Sequence, residues 1–233
     1  MIEVEQLTKK YGEHVALQVE QLRITPGERL GLVGNNGAGK TTLFRLILDL
    51  IRPTQGEVRS KGASVAESDR WKSYTGSYLD ESFLLDYLTP EEYFAFVGQL
   101  HHLSADDVAA RLQPLEALFN QEILHRRKYI RDLSKGNQKK VGVAAALMIH
   151  PEVVILDEPF SNLDPSTQIR LKNILKTMAE ERPTTLLISS HDLNHITEVC
   201  QRIVVLKQGR IVKDIGTDET TRQELEAFFL END

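Results

Sequence analysis

A glycine-rich stretch that ends in lysine and threonine has the spacing of a phosphate-binding loop, or Walker A motif. Its residues run Gly34-Asn35-Asn36-Gly37-Ala38-Gly39-Lys40-Thr41, with Thr42 next. Glycines let backbone N–H groups turn towards phosphate oxygens, and a helix beginning near Lys40 directs its positive end at them. Lys40 adds a cation, and the Thr41 hydroxyl is a ligand for Mg²⁺. The stretch therefore predicts binding of a nucleotide's phosphates together with Mg²⁺.

Two carboxylates and a histidine follow two apolar segments of the chain. Asp157 and Glu158 come directly after residues 153–156, and His191 comes just beyond residues 185–188. Ligands gather at the carboxyl ends of parallel strands, where Asp157 suits the Mg²⁺ shell and Glu158 is positioned to act as general base. His191 would sense the γ-phosphate from the same crevice. Taken alone, the acidic pair also fits a solvated loop and His191 a structural role, but the phosphate loop favours catalysis for the pair.

The elements that position these residues are short apolar strands and a helix. Residues 30–33, 153–156 and 185–188 are apolar on both faces, which is typical of a parallel sheet covered by helices. The phosphate loop lies between the first of these strands and a periodic helix predicted over 42–51, which we expect to end before Pro53. The predicted core is therefore α/β.

The flanking parts of the chain predict further features. The N-terminal part predicts an antiparallel pair over 2–7 and 15–24 around the turn Tyr11-Gly12-Glu13. The middle predicts a helical stretch over 89–129, with capping signals at Thr89 and Ser104. The last part predicts a hairpin with strands 203–206 and 210–212, followed by a helix over 221–230 capped at Thr221. We therefore expect a P-loop NTPase core with a parallel sheet flanked by helices, an N-terminal antiparallel β-layer and an inserted helical subdomain at about 86–132. The whole chain, 1–233, is expected to form one domain.

Composition narrows the class of protein. The net charge of −6 argues against nucleic acid as a partner, and we interpret the basic cluster 126–128 as a solvated face. The single cysteine, Cys200, excludes an internal disulfide and suits a reducing cytosol. An acidic start predicts no secretion signal, and the longest apolar run, 143–149, is far shorter than the about 20 residues that a membrane helix needs.

Between the phosphate loop and the acidic pair, Leu133-Ser134-Lys135-Gly136-Asn137-Gln138 resembles the signature motif of ABC ATPases. The order of motifs along nearly the whole chain is similar to that family: an aromatic at Tyr11, the phosphate loop, the signature, a Walker B strand over 153–158, a D-loop over 161–164 and a switch histidine at His191. The resemblance implies an ATP-hydrolysing subunit that works on the cytoplasmic face of a membrane with a separate membrane-spanning permease.

The resemblance also implies roles for residues that spacing alone does not assign. Tyr11 would stack on adenine, although without the family match it would pass for an ordinary turn tyrosine. The signature residues Ser134, Lys135, Gly136 and Asn137 would contact ATP held by a second copy of the chain or by a paralogue. Asp164 would belong to the D-loop.

Two departures from the family pattern carry information. In the signature, Lys135 replaces the first of two usual glycines and Asn137 the customary glutamine, a variant that resembles short ATPases paired with exporter-type membrane subunits. Where the family has a glutamine that meets Mg²⁺ and the membrane partner, an ungapped count puts Asp80, and a one-residue gap puts Glu81. A carboxylate can still hold a Mg²⁺-bound water, and a solvated acidic loop is the alternative.

Three classes of function fit such a chain. A transporter motor is favoured. A soluble ABC ATPase of translation or DNA repair is disfavoured by the single predicted domain, the short insertion and the acidic charge. A nucleotide-dependent scaffold with weak turnover is disfavoured because Glu158 and His191 are both present. The resemblance implies that the membrane subunit, not this chain, contacts the transported substance.

Overall fold

The computed structural model describes the backbone of residues 1–232 and the side chains of residues 1–230. Strands within that part are β1 (Ile2–Tyr11), β2 (His14–Ile24), β3 (Arg29–Val33), β4 (Gln55–Ser60), β5 (Ala63–Ser64), β6 (Thr75–Tyr78), β7 (Val153–Leu156), β8 (Thr185–Ser190), β9 (Arg202–Lys207) and β10 (Arg210–Gly216). Helices are α1 (Lys40–Ile47), α2 (Pro90–Leu100), α3 (Ala105–Leu112), α4 (Lys135–Met148), α5 (Pro165–Glu181), α6 (Leu193–Val199) and α7 (Thr221–Asn232).

The main sheet has six strands in the order β10-β9-β3-β8-β7-β6. All neighbours are parallel except the β9–β10 hairpin, which is antiparallel as the sequence predicts. The three predicted apolar strands are β3, β7 and β8. The edge strand β6 was not predicted, because its sequence Thr-Gly-Ser-Tyr lacks an apolar run.

The second sheet is antiparallel, with four strands in the order β2-β1-β4-β5. Its β1–β2 pair, in which Tyr11 is the partner of His14 across the turn, confirms the predicted N-terminal layer. Strands β4 and β5 extend this sheet beyond the prediction.

Strand β7 shows why the main sheet is apolar on both faces. Val153 and Ile155 pack with α1 and the second sheet, whereas Val154 and Leu156 pack with α4 and α5. Because side chains alternate between the faces of a strand, burial on both sides leaves no position for a polar residue. The two cores on either side hold the carboxyl ends of the strands in place.

Helix α1 ends at Ile47, four residues before the predicted end, so that prediction was wrong. Asp49 adopts a left-handed φ of 49°, and the N–H groups of Asp49 and Leu50 bond to the carbonyls of Leu46 and Arg45. This pattern is a Schellman motif, which closes a helix through its own carbonyls. The stop is therefore set by the local chain reversal and not by Pro53.

The helical stretch begins as predicted but is shorter. Thr89 and Ser104 each form a capping box, with Glu92 and Asp107 respectively. After α3 the chain forms a 3₁₀ segment over Gln113–Leu118 and then turns, so the helix predicted up to residue 129 is not present there. The bounds of an inserted subdomain at 86 and 132 stay a prediction.

Helix α7 begins at Thr221, but the predicted cap by Thr221 was wrong. The Thr221 N–H bonds at 2.9 Å to Asp218 Oδ1, so Asp218 supplies the side-chain acceptor at this helix start. Among residues 1–232, every helix is too short or too polar to cross a bilayer.

Candidate active site

The phosphate loop connects β3 to α1 as the sequence predicts. Gly39 precedes the helix with a left-handed φ of 108°, and a Cβ there would come 3.0 Å from the Ala16 carbonyl. Only glycine adopts this conformation without strain. The loop forms one wall of a cleft of about 370 Å³, whose lining is Tyr11, His14, Ala16, Asn36, Gly37, Ala38, Gly39, Lys40, Thr41, Thr42 and Glu158.

Lys40 lies at the base of this cleft and is only 6% exposed. Its Nζ donates to the Gly34 carbonyl at 2.6 Å and lies 3.5 Å from Glu158 Oε1. A buried ammonium group is costly without such partners, so these contacts hold the cation inside the loop. The arrangement favours an anionic ligand at this place.

Asp157, directly after β7, connects two other elements of the site. One oxygen of its carboxylate accepts a hydrogen bond from Thr41 on α1, and the other accepts one from Ser189 near the end of β8. Burial raises the pKa of Asp157, while these two hydrogen bonds act in the opposite direction. The predicted pair of Mg²⁺ ligands, Thr41 and Asp157, is thus in direct contact. Their oxygen atoms are the donors that Mg²⁺ prefers.

Glu158 faces two basic side chains. Its Oε2 lies 2.9 Å from His191 Nδ1, and its Oε1 is buried, 3.5 Å from Lys40 Nζ and without a hydrogen-bond partner in the described residues. Neither basic residue is a neighbour of Glu158 in the sequence, because Lys40 and His191 follow other strands of the sheet. A buried acceptor without a hydrogen bond is uncommon in folded proteins, which makes this oxygen a candidate for direct contact with a ligand.

Tyr11 and His14 lie at the mouth of the cleft, on the β1–β2 hairpin. Tyr11 is 52% exposed, and the Lys9 ammonium lies 5.0 Å from the centre of its ring. An exposed aromatic face beside the phosphate loop is compatible with base stacking. Sequence reasoning missed His14, although its position just after the Tyr11 turn could have indicated it.

The signature residues lie at the start of α4, and none of them lines the described cleft. Ser134 is the N-cap and accepts from the Asn137 N–H at 3.3 Å, and the Asn137 amide contacts Glu122. Lys135 is exposed and Gly136 is half-buried. The helix therefore begins at exposed residues, with the Asn137 N–H capped within the chain.

The D-loop residue Asp164 caps α5. Its carboxylate accepts hydrogen bonds from Ser166 and Thr167, which hold the pKa of Asp164 well below its usual range. Lys140 Nζ lies 3.9 Å away. The carboxylate is therefore already engaged within its own chain.

Asp80 and Glu81, the two residues that the sequence places where the resembled family has a glutamine, contact different neighbours. Asp80 caps a short 3₁₀ turn by accepting from Ser82 N, and it lies 3.6 Å from Arg45. Arg45 is four residues after Thr41 on α1, so both share one face of that helix. Glu81 accepts from the Tyr78 hydroxyl at 2.9 Å. Asp80 therefore reaches α1 through Arg45, whereas Glu81 contacts the end of β6.

The family profile described as "ABC transporter" matches residues 17–161. The chain is 33% identical over 220 residues to the "Bacitracin transport ATP-binding protein BcrA" of Enterococcus faecalis, across 94% of this chain and 70% of that protein. It is 32% identical over 226 residues to the "Methionine import ATP-binding protein MetN" of Chlamydia pneumoniae, across 94% and 66%.

Solved structures are similar over nearly the whole chain. The dimeric structure of MJ0796, a bacterial ABC transporter cassette, has a TM-score of 0.83 at 27% identity, covering 94% of this chain and 99% of that chain. A post-hydrolysis dimer of MJ0796 bound to ADP and Pi has a TM-score of 0.82 at 27% identity, with the same coverage.

Proposed function

Because the chain belongs to the ABC transporter family of ATP-binding proteins, we propose that it binds and hydrolyses MgATP to drive a separate membrane-spanning permease. The observation that carries this proposal is the convergence of Lys40, Thr41, Asp157, Glu158 and His191 at the carboxyl ends of the central strands. Phosphoryl transfer to water requires mainly positioning and charge stabilisation, and these residues supply both.

Each residue has a distinct task in the proposed reaction. The phosphate-loop N–H groups and Lys40 hold the β- and γ-phosphates. Glu158 takes a proton from the attacking water through Oε1, the buried oxygen of its carboxylate. His191 holds the other oxygen of Glu158 at 2.9 Å and is near enough to follow the state of the γ-phosphate.

Thr41 and Asp157 would hold the magnesium ion, with Asp80 near it. When bound, Mg²⁺ would neutralise negative charge that develops on the phosphate oxygens. The direct contact between the Thr41 hydroxyl and the Asp157 carboxylate supports this assignment, because both oxygens already face the same point.

We propose further that two copies, or this chain and a paralogue, enclose ATP between them. Ser134, Lys135, Gly136 and Asn137 of one copy would meet the phosphates held by the other, and Asp164 would lie at the contact. Support comes from the exposed start of the 14-residue α4 helix and from the dimeric form of MJ0796. A helix N-terminus of this length is a ready site for phosphate.

The permease would dock beside the Asp80 loop. A groove of about 130 Å³ there is lined by Leu48, Leu50, Trp71, Ser77, Tyr78, Leu79, Phe83, Leu84, Tyr93 and Gly142. Leu50 and Phe83 are 46% and 50% exposed, which is unfavourable unless a partner covers them. This docking would keep the chain on the cytoplasmic face of the membrane.

We propose export as the direction of transport, on the strength of the variant signature. The similarity to a methionine import ATP-binding protein keeps import as the second candidate. Purification of the chain with its membrane partner decides between them. A permease without a solute-binding protein supports export, and a copurifying solute-binding protein contradicts it.

The reaction is tested with Glu158→Gln, which removes the base but keeps the side-chain volume. We expect turnover to fall on the order of 10²- to 10⁴-fold while MgATP binding persists and ATP-bound dimers accumulate. Glu152→Gln is the matched control, since Glu152 precedes the other end of β7 and pairs with the exposed Lys61. Near-normal turnover of Glu158→Gln would place the base elsewhere.

A further inference from the structure

Lys139 is a buried lysine on α4 that does not line the described cleft. It is 5% exposed, and its Nζ donates to the Glu158 carbonyl at 2.8 Å and to Ser161 Oγ at 2.5 Å. Ser161 Oγ in turn donates to the same carbonyl at 2.9 Å. Two side chains thus donate to the backbone oxygen of the proposed base, and the Ser161 N–H donates to it as well at 3.3 Å.

The backbone of Glu158 needs such support. Its φ of 48° is in the left-handed region, which is unfavourable for a residue with a Cβ and persists only where neighbours hold it. On the other side of the residue, the Glu158 N–H donates to Ser189 Oγ at 2.9 Å. The peptide groups before and after Glu158 are therefore both fixed, and the direction of the carboxylate follows from them.

The position of Lys139 along α4 is set by close packing. A Cβ on Gly142, one turn further along, would lie 2.3 Å from the Tyr78 ring, so the helix and β6 approach as closely as glycine allows. Burial lowers the pKa of Lys139, while the nearby carboxylates of Glu81, Glu158 and Asp157 favour its charged form. A charged donor forms stronger hydrogen bonds than a neutral one.

We propose that Lys139 is a positioning residue for ATP hydrolysis, which holds the Glu158 peptide so that the carboxylate faces the attacking water. The inference rests on the proposed role of Glu158. Lys139 lies five residues after Ser134, about 8 Å along the same helix. The helix that would meet the partner's nucleotide is therefore also the helix that orients the base in its own chain.

The first experiment compares Lys139→Met with wild type in the full chain. The methionine keeps most of the volume but removes the donor, and we expect kcat to fall on the order of 10- to 100-fold with MgATP affinity within about twofold. Lys139→Arg, which keeps a charged donor, should recover part of the loss. Lys172→Met is the control, because Lys172 is also buried but pairs with Glu198.

A double-mutant cycle separates positioning from general damage to the fold. If Lys139 acts through Glu158, single-turnover hydrolysis by Glu158→Gln should be unchanged by adding Lys139→Met. Equal fractional losses in both backgrounds would overturn the proposal, as would an unchanged kcat in Lys139→Met alone. The proposed function is tested separately by the Glu158→Gln single variant, so its failure is distinguishable.

A second variant keeps the proposal testable if Lys139→Met melts at a much lower temperature. Ser161→Ala removes the hydroxyl that contacts both Lys139 Nζ and the Glu158 carbonyl, but it leaves the charges of Lys139 and Glu158 in place. We expect a smaller loss of kcat, about 3- to 10-fold, that again disappears in the Glu158→Gln background. A kcat equal to that of wild type in Ser161→Ala would then contradict the proposal.

Discussion

The phosphate-loop half of the site and the signature half differ in how complete they are within one chain. Lys40, Thr41, Asp157, Glu158 and His191 contact one another directly or through one neighbour. The residues that begin α4 instead bond to their own helix and to Glu122, at the surface. One half is assembled by folding, and the other is directed outward.

Physical chemistry explains the difference. Buried charges such as Lys40 and Asp157 must be compensated as the chain folds, so their contacts form inside the chain. The first N–H groups of a helix can remain solvated by water until an anion arrives. The chain thus contains one half-site that folding completes and one that, under the proposed arrangement, would meet a ligand held by another subunit.

The largest expected effect comes from breaking the assembled half. Lys40→Ala removes the buried cation that faces Glu158, and we expect MgATP affinity to fall by about 100-fold or more, measured by calorimetry. Lys61→Ala, which removes an exposed ion pair with Glu152, is the control and should bind normally. Unchanged affinity in folded Lys40→Ala would show that this loop is not the phosphate site.

Mixing variants tests whether the two halves belong to different copies. Lys40→Ala breaks the phosphate loop and Ser134→Arg blocks the signature, so each protein should be inactive alone. A mixed dimer has one intact site and one doubly broken site. With random pairing about half of the dimers are mixed, so we expect roughly a quarter of wild-type turnover if the sites act independently.

The mixing experiment needs its own control for the helix cap. Ser104→Arg removes the N-cap of α3, which resembles that of Ser134 but lies outside the signature, and it should retain activity. Cross-linking should establish that mixed dimers form. No recovery in such a mixture would count against independent shared sites, and strong activity of Ser134→Arg alone would contradict the signature assignment.

The comparison also explains which features were predictable. Strand β7 was predicted because burial on both faces requires an unbroken apolar run, whereas β6 lies at the sheet edge with Thr, Gly and Ser. The starts of helices α2 and α3 were signalled locally by Thr89 and Ser104. The end of α1 was not, because it depends on the conformation of Asp49.

Contacts between distant segments were the least predictable part of the site. Lys139 and Lys140 are adjacent lysines in a helical pattern, which is typical of a solvated surface. Both are buried, because Glu158, Ser161 and Asp164 arrive from another part of the chain and supply their partners. Neither charge nor spacing along the sequence contains that information.

The smallest expected effect concerns Asp80, at the boundary between the assembled half and the partner surface. Asp80→Gln removes a carboxylate that would lie near the metal and its pairing with Arg45 at 3.6 Å. An ion pair this exposed contributes up to about 1 kcal/mol, which corresponds to about fivefold. We therefore expect the Mg²⁺ concentration for half-maximal ATP binding to rise up to about fivefold, with ATP affinity at saturating Mg²⁺ within about twofold.

Two further variants identify the cause of such a shift. Asp80→Asn can still cap the 3₁₀ turn by accepting from Ser82 N, so it separates loss of charge from loss of the cap. If charge near the metal matters, Asn and Gln at position 80 should shift the Mg²⁺ titration equally. If the cap matters, only the glutamine should shift the titration.

A shift in Glu81→Gln with none at position 80 would transfer the role to Glu81. Glu81 accepts a hydrogen bond from the Tyr78 hydroxyl, and the Tyr78 ring packs closely against Gly142, so this contact connects Glu81 to α4.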